Sequence, residues 1–159
     1  MVQVISLTDR KCTPPESADG TLLQFSLPAI REAVPEARHR VLEACAITGL
    51  SEWECASLDL ALGEALANAV VHGNPTDLPN EACPICVTLW NYDRKIIVHI
   101  NNRGSSFRPP EPPYEMPIAN EQETHGRGLP LMEMLTEALV FCENDVNEGG
   151  TSIYLIKSL

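Results

Sequence analysis

The stretch LALGEALANAVVHGNP, residues 60–75, decides how this sequence is read. Its Ala, Leu and Val residues are spaced as in an amphipathic helix, yet Glu64, Asn68 and His72 recur at intervals of four. Residues four apart share one helix face. A helix otherwise built of small and branched apolar residues thus lines up a carboxylate, an amide and an imidazole. Two explanations stand at this point: ordinary polar residues on a partly exposed face, or a site.

Working outward, the helix is expected over 52–72. Ser51 caps it and Glu54 completes a capping box. Leu58, Leu62, Leu66, Ala69 and Val70 form its core stripe, and Gly73 supplies a left-handed end. Upstream, TLLQFSL at 21–27 suits a strand, and a helix is expected over 28–47, with Pro35 kinking or restarting it. Ile30, Val34, Ala37, Val41 and Ala44 are its apolar positions, and Gly49 its stop. Residues 1–20 read as a short strand or arm and then a loop.

Downstream of a Pro, Asn and Asp loop, ICVTLWNY and KIIVHINN are strand patterns joined across Asp93-Arg94 as a hairpin. Five prolines then fall between residues 109 and 117, and no apolar period survives through 105–125, which reads as a lid. Pro130 fits only the first turn of a helix, which fixes the start of LPLMEMLTEAL near Gly128. A strand over 139–143, a turn at Gly149-Gly150 and a last strand, TSIYLIK, close the order. Strands outnumber the crossovers of a parallel doubly wound sheet. The expectation is one α+β domain over 1–159, a two-layer sandwich with helices on one face of a mixed, mainly antiparallel sheet.

The 159 residues carry a formal charge of -11, from 22 acidic and 11 basic side chains. Most of such a surface repels nucleic acid, so direct DNA or RNA binding is set aside. No apolar run approaches a membrane span and no signal peptide is read at the N-terminus, so a cytoplasmic protein is expected. Cys45, Cys55 and Cys142 suggest buried thiols. Cys83 and Cys86 have CxxC spacing, but one pair leading into a strand is weak evidence for zinc or redox chemistry.

Four motifs in order resemble the boxes of the GHKL ATPases. GEALANAVVHGN is similar to the first box, with its Glu-x-x-x-Asn core, and INNRGSSF stands where Asp-x-Gly-x-Gly-Phe is expected. HGRGLPLM resembles the third box, and GGTSIYL the Gly-Thr strand that follows. Within that superfamily, ALANAVVHGN and GRGLPLM look like the serine/threonine-kinase anti-sigma factors of bacterial partner-switching systems. The resemblance covers about residues 20–157. It implies a Bergerat-type fold, ATP and Mg²⁺ as ligands, and phosphate transfer to a serine of a small STAS-type antagonist protein. A sigma factor or similar target would be the other partner, and homodimerisation is also implied.

By the same resemblance Glu64 is the general base, or orients the attacking hydroxyl, and Asn68 offers its amide oxygen to Mg²⁺. His72 matches a position often held by His; a polar residue in the helix's last turn is the alternative. Gly104 is a nucleotide-site glycine of the second box; Gly126 and Gly128 let backbone N–H groups approach phosphate and the helix after Gly128 adds its positive end, an ordinary loop-to-helix turn being the alternative. Arg127 touches phosphate or points to solvent, Leu129 follows in the same box, and Thr151 lies near the adenine.

Two positions depart from the pattern. Asn102 stands where the family has aspartate, two residues before Gly104. An ionised aspartate only accepts, so it takes adenine's amino group and rejects guanine's carbonyl; asparagine offers both an acceptor and a donor. Weaker binding and poorer base discrimination are expected. Ser106 replaces a glycine, which costs about 1 kcal/mol if the position needs a positive φ. The competing function is therefore a catalytically weakened homologue that sequesters a partner. A histidine-kinase catalytic domain fits less well, because no dimerising helical segment with a phospho-accepting His is read before the domain. A redox or metal protein built on Cys83 and Cys86 is more remote still.

Overall fold

Alternating apolar residues in three long runs build the centre of a single sheet. The computed structural model describes residues 3–6, 20–72, 84–103, 113–115, 128–143 and 150–159. In chain order they form β1 (Gln3–Ser6), β2 (Thr21–Leu27), a 3₁₀ turn (Arg31–Ala33), α1 (Val34–Cys45), α2 (Glu52–His72), β3 (Ile85–Tyr92), β4 (Lys95–Asn102), α3 (Gly128–Leu135), β5 (Ala138–Glu143) and β6 (Thr151–Ser158). The six strands lie in the order β1-β5-β6-β4-β3-β2. Only β1 with β5 is parallel; every other neighbouring pair is antiparallel. This is the expected α+β sandwich with a mixed, mainly antiparallel sheet.

One face of the sheet holds the core. Ile85, Val87 and Leu89 of β3, Ile96, Val98 and Ile100 of β4, and Ile153 and Leu155 of β6 join Leu58, Leu62 and Leu66 of α2 in one buried cluster. Val41 of α1 and Met132 of α3 belong to the same cluster. The stripe read from the sequence of α2 is therefore its buried side. Burying each of these Leu, Ile and Val side chains stabilises the fold by roughly 1.5–3 kcal/mol.

The opposite face carries a second cluster, of Trp90, Cys142 and Tyr154 with Ile97 and Val140. His99 is stacked between Trp90 and Tyr154, with ring centroids 5.7 and 4.4 Å away. Its Nε2 lies 2.9 Å from Ser152 Oγ. Burial pushes the imidazole pKa down to about 4. Cys142 is buried as expected, but it is disulfide-bonded and not a thiol. Sequence spacing does not tell which cysteines meet in space. Cys45, Cys55 and Cys86 are free, and burial pushes the Cys45 thiol up to about 12.

Local chemistry sets the element ends. The Ser51 Oγ accepts from the Glu54 N–H at 3.2 Å and the Glu54 carboxylate accepts from the Ser51 N–H at 2.8 Å, the expected capping box. Those bonds from Ser51 hold the Glu54 carboxyl below its usual range. Asp93 and Arg94 both have positive φ, 49° and 58°, as a two-residue hairpin demands. Two helices are shorter than expected. The one expected from residue 28 begins as the separate 3₁₀ turn, and Pro35 sits in the first turn of α1, where its missing N–H costs nothing. The other, α3, stops at Leu135, where the Thr136 hydroxyl donates to the Met132 carbonyl at 2.6 Å and the Glu137 N–H already joins β6 at Ile156. Among the described residues no helix is long and apolar enough to cross a membrane.

Candidate nucleotide site

The helix α2 carries Glu64 and Asn68 one turn apart, and α3 begins against both. A Cβ placed on Gly128 would lie 3.0 Å from Glu64 Oε2, and 3.6 and 3.9 Å from Asn68 Nδ2 and Oδ1. The third motif thus meets the first across the α2–α3 contact, and glycine is what allows the approach. Backbone N–H groups in the first turn of a helix have no partner within the helix and favour anions. The start of α3 therefore sets such donors beside a carboxylate and an amide. Leu129, the next residue, packs against the core and anchors the turn.

A cation also stands beside Glu64. Arg38 of α1 donates to Asp59 of α2 through Nε at 2.9 Å and through Nη2 at 2.6 Å. Its guanidinium carbon lies 3.4 Å from where a Cβ on Gly63 would be. The bond to Asp59 is the main cause that raises the Arg38 pKa; burial opposes it, and the charges of Asp59 and Glu64 add to it. The sequence reading missed Arg38. Two signals were present: Gly63 inside a helix, where glycine costs about 1 kcal/mol against alanine, and Asp59 four residues before it.

At one end of the sheet, Asn102 and Thr151 are the last pair in the β4–β6 register. Both are buried, at 7% and 3% exposure. The Thr151 backbone N–H donates to Asn102 Oδ1 at 3.1 Å. Gly150 makes this possible: its φ is +88°, and a Cβ there would sit 1.9 Å from the Asn102 carbonyl oxygen. The Gly-Thr motif thus lies tight against the backbone of Asn102 and Arg103, with the Thr151 N–H on the Asn102 side chain.

The structure brings Glu64, Asn68 and Gly128 together, and Asn102 and Thr151 together. His72 is the last residue of α2, and its side chain lies outside the described residues. Gly104, Ser106, Gly126, Arg127 and Cys83 lie outside them as well, with most of the expected lid. Within that segment Tyr114 is described: its backbone N–H donates to Glu133 of α3 at 2.8 Å. Cys86 is exposed, with Ser26 Oγ 3.7 Å from its sulfur. Among the described residues no three His, Cys, Asp or Glu side chains converge as a metal cage. The amide oxygen of Asn68 is a hard donor of the kind Mg²⁺ takes alongside phosphate and water, and the start of α3 lies beside it.

Comparison with known proteins bears on the family and the fold. The family model for the histidine kinase-like ATPase domain matches residues 27–157. Among solved structures, the chain is similar to the RsbU and RsbW domains of Rv1364c from Mycobacterium tuberculosis, at 21% identity and a TM-score of 0.59. That match covers 86% of this chain and 32% of the other, so this chain spans about a third of its length. No curated protein matches.

Proposed function

The chain belongs to the histidine kinase-like ATPase domain family, and on that premise we propose that it is a Mg²⁺-dependent protein kinase of the anti-sigma factor type. It would transfer the terminal phosphate of ATP to a serine of a small STAS-type antagonist. A sigma factor or similar target would be held or released accordingly. The convergence of Glu64, Asn68 and the start of α3 on Gly128 carries this reading. The narrower class rests on the wording of ALANAVVHGN and GRGLPLM. Action in the cytoplasm and pairing with a second copy follow from the same class.

Each residue has a role that its chemistry can fill. The Asn68 amide oxygen holds Mg²⁺, which when bound draws charge from the phosphate oxygens. Glu64 accepts the serine proton, or orients the hydroxyl, from the same helix face. The backbone at Gly128 and the first turn of α3 take the phosphate tail. The resemblance implies that Gly104, Gly126, Arg127 and His72 also belong to the nucleotide site. Asn102 and Thr151 face the base.

A second reading has one observation in its favour: Asn102 replaces the family's aspartate, and its acceptor is already engaged by Thr151. On that reading the chain is a weakened site that sequesters a partner. Incubation with labelled nucleotide, Mg²⁺ and an antagonist from a neighbouring gene separates the two. The kinase labels the antagonist on serine, and Glu64→Ala lowers transfer by roughly 10²-fold or more while sparing the nucleotide-induced rise in melting temperature. Binding without transfer would establish the sequestering module.

A further inference from the structure

The bond between Thr151 and Asn102 bears on which base the site accepts. A backbone N–H can only donate, so the atom of the Asn102 amide that meets it at 3.1 Å must be the oxygen. Both residues are buried. Turning the amide over would set its NH₂ against the Thr151 N–H, two donors face to face away from water. The orientation of the amide is therefore fixed by its neighbour.

An aspartate in this place would have two accepting oxygens, one for Thr151 and one for a base. Asparagine has one oxygen, committed to Thr151, and a nitrogen that donates in every state. Adenine presents a 6-amino group, which needs an acceptor and would have to share that oxygen. A 6-oxopurine presents a carbonyl, which meets the amide hydrogens directly. The nitrogen carries two hydrogens, so it can serve the base and a neighbour at once.

We propose that this site selects a 6-oxopurine nucleoside triphosphate, with guanine or hypoxanthine as the base, over ATP, and that Asn102 is the selecting residue. The proposal rests on the reading above that Asn102 and Thr151 face the base of a bound triphosphate; it changes the base and keeps the rest of that reading.

Inosine triphosphate is the decisive probe, because it replaces adenine's 6-amino group with a 6-oxo group and adds no 2-amino group. Titration calorimetry of the full chain with Mg²⁺ and ATP, ITP or GTP is the measurement. ITP and GTP are expected to bind about tenfold or more tighter than ATP, the ratio that one well-placed hydrogen bond supplies. Asn102→Asp is expected to reverse the order of ATP and ITP. ATP binding as tightly as ITP in the unaltered chain would overturn the selection and leave the triphosphate site standing, whether or not the variant folds. Binding of none of the three at millimolar concentration would overturn the triphosphate site itself.

Discussion

Gly128 and Glu64, on different helices, approach so closely that the first carbon of a side chain at 128 would lie 3.0 Å from Glu64 Oε2. The carboxylate can yield by a few tenths of an ångström, so Gly128→Ala should fold. It should not work well. Misplacing a catalytic group by a fraction of an ångström lowers the rate more than it lowers binding. If the chain is the proposed kinase, kcat for transfer should drop roughly tenfold with the nucleotide Kd changed less than threefold; an unchanged kcat would show that Gly128 does not position Glu64.

The Arg38–Asp59 pair joins α1 to α2 with two short bonds. Asp59→Asn keeps the shape and removes the charge. Arg38 is about one third exposed, so solvent screens part of the loss and about 1 kcal/mol of stability should go. Urea unfolding of the single and double variants in a mutant cycle measures it. If Asp59→Asn and Arg38→Gln are additive, the pair contributes nothing as a pair.

Gly150 tolerates no side chain. The φ of +88° is strained for an L-residue, and the new carbon would overlap the Asn102 carbonyl at 1.9 Å. That atom is backbone and cannot swing aside. Gly150→Ala should cost several kcal/mol, roughly 3 or more, read as a lower urea midpoint with the slope unchanged. Gly49→Ala, also at positive φ but with nothing within 4 Å, isolates the backbone strain, about 1 kcal/mol.

His99 makes stability depend on pH. Burial lowers its pKa from 6.5 to about 4. Below pH 6.5 the unfolded chain takes up a proton that the folded chain refuses until pH 4. The contribution is thus complete above pH 6.5 and is lost as pH falls toward 4, about 2 kcal/mol of it by pH 5. His99→Phe removes the titrating group and keeps a ring between Trp90 and Tyr154. Denaturant unfolding at pH 7 and pH 5 should show the unaltered protein losing about 2 kcal/mol more than the variant; equal losses would place His99 in contact with water.

Patterns between neighbours in sequence were legible, because their signal is local. The residues of β2, α2, β3 and β4 follow from periodicity, the capping box from Ser51 and Glu54, and the hairpin from its length. Glu64 and Asn68 stood out as polar residues in step on an apolar helix. Other features came only with the fold. Gly63 and Asp59 marked a place on α2 for a cation, but no period along the chain singles out Arg38, which reaches it from another helix. The Asn102 amide is oriented by a backbone N–H on a strand that arrives much later in the chain. The disulfide at Cys142 is likewise set by the fold and not by the spacing of cysteines along the chain.

The chain has two tryptophans in very different settings. Trp53, near the start of α2, is 77% exposed, whereas Trp90 is buried beside His99. Intrinsic fluorescence of this protein is therefore a sum of two lamps. A soluble quencher such as acrylamide reaches the first and leaves the second lit. The shielded emission then reports on the back of the sheet alone, with no label attached.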